Sequence, residues 1–206
     1  MDKLVCELEA LKACDIRKKV DKRRAEFKCL GGGNSDALFC ELCFCILTAN
    51  YDALKAIKIQ KEVGKGFLKF SEEKLAAKLR ELGYRYPNAR AKYIVEARKH
   101  LKDLGKVCRG ECGDPRQWIA ENVKGLGYKE SSHFLRNIGC GEYAIIDFHI
   151  LDLLDREGLF DKPKTLSKKK YLEAEERLKK LACECGMDLA ELDLYLWYLE
   201  TGKILK

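Results

Sequence analysis

The sequence has no apolar stretch long enough to cross a lipid bilayer and no segment that resembles a signal peptide. Its most apolar stretch, residues 37–49, is too short to span a membrane and contains Glu41. These two absences argue against an integral membrane protein and against secretion. We therefore expect a soluble protein of the cytoplasm.

The cysteines lack the spacing that a structural metal site requires. There are 11 of them, an odd number, so they cannot all pair within the chain, and free thiols are expected. No four have the spacing of a structural zinc site. Cys108 with Cys112 is the best remaining pair for a metal or a disulfide, and Cys183 with Cys185 is a weaker one. We expect neither a metal ion nor another cofactor.

Glutamine is scarce, with two residues in the chain, whereas lysine and glutamate are abundant. That composition is typical of thermophilic proteins. Lysine and arginine together number 40 against 33 acidic residues, and the resulting net charge of +7 is spread along the chain. A positive surface suits a phosphate-rich partner such as nucleic acid. The alternative is a solvated, lysine-rich surface with no such partner.

Strand-like alternation is almost absent, and apolar residues recur at helical spacing over nearly the whole length. We therefore expect an all-α protein. Glycine-rich segments punctuate the helices, and residues 31–35 and 162–170 are the best candidates for flexible joints. Ser35 is expected to cap the helix that follows the first joint, and residues 105–113 are expected to form a loop.

The most informative segment is residues 123–129, which read VKGLGYK between two predicted helices and form the centre of a hairpin over residues 115–138. Gly125 and Gly127 permit the positive φ angles and the close approach that such a turn needs. The backbone N–H groups around them, at the start of a helix, form an anion site. Such a site holds one phosphate without reading any base.

Two residues near this hairpin suggest catalysis. Lys129 lies in the first turn of the second helix, where the helix dipole disfavours an ammonium and favours the nucleophilic neutral amine. Asp147 precedes the helical run FHILDLLD and can cap that helix. The extended return from Gly139 is long enough to bring Asp147 back beside Lys129. The alternatives are a surface lysine near phosphate and an aspartate that only caps.

These residues carry a resemblance to a known family. VKGLGYK followed by IDFH resembles the core pattern L-P-G-h-G-x-K and h-D-x-H of the helix-hairpin-helix DNA glycosylase superfamily, with Lys124 in place of the usual proline. Residues 47–50 resemble the family element whose last residue fills the hole left by a flipped base. Residues 82–93 resemble the G-Y-R-A-R-Y region, which contacts the estranged base.

Within that superfamily the chain resembles the short archaeal type 2 class of 8-oxoguanine DNA glycosylases. The length suits a class without the N-terminal β-domain, and the C-terminal LDLYLWYLETGKILK is similar to the end of that class. Beyond Asp147 only Cys183 and Cys185 remain, too few for the iron–sulfur cluster of endonuclease III. A glycosylase for oxidised pyrimidines is one alternative. A non-enzymatic DNA-binding module is another, against which the pairing of Lys129 with Asp147 argues.

The resemblance implies two helical lobes with the active site in the cleft between them. Lobe one comprises about residues 1–33 plus 140–206, and lobe two about residues 34–139. The expected partner is double-stranded DNA that contains 8-oxoguanine or an abasic site. The expected protein is a monomer from a prokaryotic, thermophilic archaeal cell.

The resemblance also assigns roles to single residues. Lys129 is expected to attack C1′ and form a Schiff base that permits β-elimination, while Asp147 stabilises the developing positive charge. The discrimination of 8-oxoguanine needs an acceptor that faces N7–H, which a terminal carboxylate supplies. The expected DNA contacts are Gly125, Gly127, His149, Asn50 and Arg85, and the expected base-recognition residues are Lys206 and Trp197. His149 on a helix surface and Trp197 in a packed core are the structural alternatives.

Overall fold

The structure, a computed structural model, describes residues 2–206, and residue 2 only by its backbone. Over this range the chain forms thirteen α-helices and one 3₁₀ helix, with no β-strand among these residues, so the all-α prediction is confirmed. The helices are α1 (Asp2–Lys12), α2 (Ile16–Gly31), α3 (Ser35–Thr48), α4 (Ala53–Val63), α5 (Gly66–Lys69), α6 (Glu72–Glu81), α7 (Pro87–Ala97), the 3₁₀ helix (Arg98–His100), α8 (Leu104–Cys108), α9 (Pro115–Asn122), α10 (Tyr128–Asn137), α11 (Phe148–Arg156), α12 (Lys168–Glu184) and α13 (Leu189–Thr201). None of the helices described here is long and apolar enough to cross a membrane.

The chain divides into two compact units. The first unit contains residues 2–29 and 139–206, and with them α1, most of α2, and α11 to α13. The second unit contains residues 30–138 and the helices from α3 to α10.

The second unit is built around α3, whose side chains are buried almost throughout. Around it pack α4, α5, α7, α8 and α10. Glu41 lies in this helix with 2% of its surface exposed. Its carboxylate accepts hydrogen bonds from Asn137 Nδ2 at 2.6 Å and from Gln60 Nε2 at 3.0 Å. A buried carboxylate therefore joins α3 to the end of α10 and to α4.

The first unit is organised by α13, which packs against α1, α11 and α12. Its start is held to α2 by Arg24, whose guanidinium donates to Glu191 Oε2 at 2.6 Å and also pairs with Asp188. Asp188 in turn caps α13 by accepting the N–H of Glu191 at 2.8 Å. The positive charge of an arginine in α2 thus balances the negative charges of two carboxylates at the beginning of α13.

Two local predictions are wrong. Ser35 is the first residue of α3 and does not cap it; Asn34 does, with Oδ1 accepting the Ala37 N–H at 3.0 Å. Residues 105–113 are not wholly a loop, because α8 continues to Cys108. Gly105 has a low helix propensity, and for that reason the sequence indicated a loop. Leu104 is fully buried in this short helix, and its burial stabilises the helical turn.

Candidate active site and DNA-binding surface

The hairpin lies where the sequence predicts it. Helix α9 ends at Asn122, the chain turns through residues 123–127, and α10 begins at Tyr128. Val123 and Leu126 are buried, and the Leu126 N–H donates to the Val123 carbonyl at 3.2 Å. The two apolar side chains anchor the turn and leave its glycines exposed.

Position 125 of this turn requires glycine. Its φ is +89°, in the left-handed region that side chains rarely adopt. A Cβ built on it would lie 2.5 Å from Cδ2 of Tyr93. The ring of Tyr93 thus forms the floor of the turn, with Lys124 Nζ 5.5 Å from its centroid.

Gly127 differs, and the expectation of a positive φ is wrong for it. Its φ is −99°, and a Cβ there would meet nothing closer than Glu130 Oε2 at 3.6 Å. As the N-cap of α10 it has no side chain with which to accept the first N–H groups of the helix. Those donors are left available to an external anion, in the way helix N-termini bind phosphate.

Lys129 is the second residue of α10 and lies in its first turn. Its side chain is 30% exposed, and Nζ lies 3.6 Å from Glu130 Oε1. Lys129 is thus a half-buried amine at the positive end of a helix, two residues after Gly127.

Asp147 is the N-cap of α11, as predicted, and its Oδ1 accepts the Ile150 N–H at 3.1 Å. It belongs to the first unit, whereas Lys129 belongs to the second. The side chain is half-buried. One carboxylate oxygen of Asp147 is therefore engaged with the start of α11.

Two residues that sequence reasoning missed hold the segment before Asp147 in place. Glu175 is 2% exposed and accepts the Ala144 N–H at 2.9 Å. The hydroxyl of Tyr171 accepts the Ile146 N–H at 3.2 Å and donates to the Ala144 carbonyl at 2.7 Å. Both belong to α12. Glu175 lies on the buried face of that helix. A charged residue among the apolar positions of an amphipathic helix was the sequence pattern that could have revealed it.

His149 and Trp197 lie together within the first unit. Their ring centroids are 5.5 Å apart, and the planes meet at 86°. His149 is exposed, and Trp197 is half-buried with an indole N–H that is fully enclosed and lacks a hydrogen-bond acceptor among the described residues. The tryptophan is thus partly accessible to solvent and partly packed against the core.

Asn50 has the only positive φ, +59°, among the non-glycine residues described. It is exposed and follows α3 directly after Ala49. Asparagine tolerates this conformation better than other residues because its side chain can bond locally. Such strained, exposed positions cluster at ligand-binding sites.

The segment with Arg85 lies beside the segment with Asn50. The rings of Tyr51 and Tyr84 contact each other at a tilt of 51°, with centroids 4.4 Å apart, and the Tyr51 hydroxyl donates to the Gly83 carbonyl at 3.3 Å. Arg85 itself is exposed, with its guanidinium carbon 5.0 Å from the ring centroid of Tyr86. The two segments that resemble the hole-filling and estranged-base elements therefore form one surface in the second unit.

Lys206 follows a helix that ends at Thr201 and a left-handed Gly202 with φ of +68°. Ile204, Leu205 and Lys206 are all half-buried. The last three residues thus lie against the body of the protein. Among residues 2–206, no group of three or more histidine, cysteine or acidic side chains is arranged to hold a metal ion.

Comparison with known proteins identifies the family. The model of the 8-oxoguanine DNA glycosylase family with its helix-hairpin-helix matches residues 20–187. The chain belongs to this family. It is 48% identical to the 8-oxoguanine DNA glycosylase/AP lyase of Korarchaeum cryptofilum, over all of this chain and 99% of that protein. It is also 48% identical to the corresponding enzyme of Methanocaldococcus jannaschii, over 98% of this chain and 99% of the relative.

Solved structures of family members have the same fold. The crystal structure of the Thermotoga maritima 8-oxoguanine DNA glycosylase matches with a TM-score of 0.93 at 48% identity, over 100% of this chain and 99% of that one. The Methanocaldococcus jannaschii glycosylase/lyase, crystallised with a 15mer DNA that contains 8-oxoguanine, matches with a TM-score of 0.94 at 46% identity, over 99% and 100%. As a family member the protein is a bifunctional DNA glycosylase/AP lyase.

Proposed function

We propose that this protein excises 8-oxoguanine from duplex DNA in base excision repair and then cleaves the strand at the abasic site. The observation that carries the proposal is Lys129, a half-buried amine in the first turn of a helix that begins at an uncapped hairpin glycine. The arrangement supplies a phosphate site and a nucleophile in the first turn of one helix.

The chemistry begins with base flipping, because C1′ cannot be reached inside the stacked duplex. The neutral amine of Lys129 forms a bond to C1′, and the C1′–N9 bond breaks with its electron pair leaving on the base. Asp147 stabilises the positive charge that develops on the sugar. Loss of one proton from the attached amine frees its lone pair to form the C1′=N bond of a Schiff base, while the C1′–O4′ bond breaks and O4′ takes up a proton. Loss of a C2′ proton then breaks the C3′–O bond and expels the 3′ phosphate.

The remaining contacts hold the DNA in a flipped state. The N–H groups around Gly125 and Gly127 bind one phosphate, and His149 binds another. Asn50 enters the space that the lesion vacates, and Arg85 contacts the base left without its partner. Each of these groups is exposed.

Recognition of the oxidised base falls to Lys206 and Trp197. Reading 8-oxoguanine requires an acceptor that faces N7–H, where guanine presents a lone pair and is repelled, and Lys206 is the residue proposed to lie at that edge of the base. Trp197 supplies an aromatic face for the flipped ring. Deletion of Lys206 should reduce 8-oxoguanine excision at least tenfold. Cleavage of a ready-made abasic site should be spared, and unchanged excision would exclude Lys206 from recognition of the base.

The decisive experiment is borohydride trapping of the Schiff base on a duplex that contains 8-oxoguanine. Lys129→Gln should abolish the trapped adduct and leave binding intact. Lys78→Gln is the matched control, since its side chain is also 30% exposed and pairs with a glutamate three residues on. Undiminished trapping in Lys129→Gln would remove this residue as the nucleophile.

A panel of duplexes, each with one lesion, tests the substrate. Preferred excision of 8-oxoguanine is expected, whereas preferred excision of an oxidised pyrimidine would favour the sister activity. Binding without any trapped adduct would favour a non-enzymatic module.

We further propose that the protein acts as a monomer in the cytoplasm of a thermophilic prokaryote. Size-exclusion chromatography should accordingly give a mass near 23.6 kDa.

A further inference from the structure

Phe148 is the most exposed large apolar residue among those described. It is the first residue of α11, between Asp147 and His149, and 75% of its surface is accessible. The next apolar residues of the helix, Ile150 and Leu151, are buried. A phenylalanine left in water gains nothing for folding, and aromatic residues are enriched on surfaces that bind a partner.

The segment after α11 folds back along the same side of the helix. Asp152 and Asp155 stand four and seven residues after Phe148, on one face. The Lys162 N–H donates to Asp155 Oδ1 at 2.9 Å, and Lys162 Nζ pairs with Asp152. These two bonds hold the lysine against the helix.

The result is a fixed cation beside an exposed ring. Lys162 Nζ lies 6.0 Å from the ring centroid of Phe148. An ammonium has three N–H donors, and Asp152 occupies only part of that capacity. We call Phe148 together with Lys162 the platform. An aromatic ring next to a cation is the combination with which proteins hold a nucleic-acid strand, the ring against sugar or base and the cation against phosphate.

We propose that the platform binds the nucleotide next to the lesion on the damaged strand, with Phe148 against its sugar and Lys162 on its phosphate. This rests on the proposed function, which brings Asp147 to C1′ of the lesion. Consecutive Cα atoms are only about 3.8 Å apart, so the neighbour of Asp147 must lie close to an adjoining nucleotide. The platform thus fixes the strand beside the carboxylate of Asp147.

The first test measures affinity for a lesion duplex whose sugar carries a 2′-fluorine to block excision. Phe148→Ala should weaken binding on the order of tenfold. Phe148→Leu should retain most of the affinity, because it keeps an apolar contact to the sugar. Leu172→Ala is the control: Leu172 is also exposed, at 36%, and belongs to the same unit. Equal affinity of native and Phe148→Ala proteins would overturn the proposal.

The second test separates a phosphate contact from general surface charge. Loss of one contact lowers the slope of log K against log salt by about 0.9. Lys162→Met should show this reduction. Lys179→Met should not, although Lys179 is likewise an exposed lysine in an ion pair, 2.6 Å from Glu176. A reduction of the same size in both variants would mean that Lys162 contributes only net charge.

Photo-crosslinking decides what covers the ring. A benzoyl-phenylalanine at position 148 should crosslink to the damaged strand within one or two nucleotides of the lesion. Adducts only between protein chains, or with the undamaged strand, would overturn the proposal. Borohydride trapping by the native protein tests the function separately. If the native protein is trapped, while Phe148→Ala keeps native affinity and Lys162→Met keeps the native salt slope, the platform is rejected and the glycosylase assignment stands.

Discussion

At the scale of single residues, Asp147 combines a helix cap with the proposed chemistry. Asp147→Asn keeps an oxygen that can accept the Ile150 N–H, so its stability should stay close to native. Asp147→Ala loses the cap and should unfold about 1 kcal/mol more easily. Both should lose about a hundredfold or more in single-turnover excision, because neither stabilises the developing charge. Near-native turnover in Asp147→Asn would restrict the carboxylate to capping.

Asn50 allows backbone strain to be separated from DNA contact. At its φ of +59°, alanine should cost about 1 kcal/mol of stability, whereas glycine should cost nothing or stabilise. Both variants lack the side chain that fills the vacated space. Both should lose excision on a lesion duplex more than cleavage of a ready-made abasic site. Thermal unfolding and the two rates check this, and parallel losses on both substrates would contradict it.

At the scale of elements, the hairpin offers a matched pair of glycines. Gly125→Ala places a Cβ 2.5 Å from Tyr93 in a left-handed conformation, so it should destabilise the protein by about 2 kcal/mol or more. Gly127→Ala meets nothing closer than 3.6 Å at an ordinary φ and should fold normally. Its methyl group should nevertheless crowd the phosphate and weaken DNA binding. Equal stability of the two variants would refute the account of the turn.

The buried Glu41 ties the helix of Lys129 to the core of its unit. Glu41→Leu leaves the amide donors of Asn137 and Gln60 without this acceptor. The free energy of unfolding should therefore fall by roughly 3 kcal/mol. Glu41→Gln keeps one acceptor oxygen and should cost less. Chemical denaturation measures both. A leucine variant as stable as native would mean that packing, and not the carboxylate, holds α10.

At the scale of the whole molecule, the net charge of +7 governs long-range attraction to DNA. With about three phosphates neutralised by lysine or arginine side chains, Lys162 among them, the salt slope should be near −2.7. Affinity should then fall about 40-fold between 50 and 200 mM salt. Titrations of lesion and undamaged duplexes should have similar slopes and different affinities. A salt-independent affinity would contradict phosphate anchoring.

Much of the candidate site was predictable because its elements are local. The helix period, the cap at Asp147 and the turn through Gly125 depend on hydrogen bonds and φ angles within a few residues. The position of Lys129 in the first turn of α10 follows from the same short-range rules. The one-residue error at Asn34 and Ser35 arose because both residue types cap well.

Long-range packing decided the rest. That Glu175 is buried to hold the segment before Asp147, and that Tyr93 supports Gly125, depends on contacts between residues about thirty positions apart. The exposure of Phe148 and the position of Lys162 beside it depend on how the chain after α11 folds back. Sequence alone determined the helices, the turn and the catalytic candidates, because local backbone geometry encodes them. Only the tertiary structure decided which polar groups are buried and which apolar ring stays in water, because burial is a property of the packed whole.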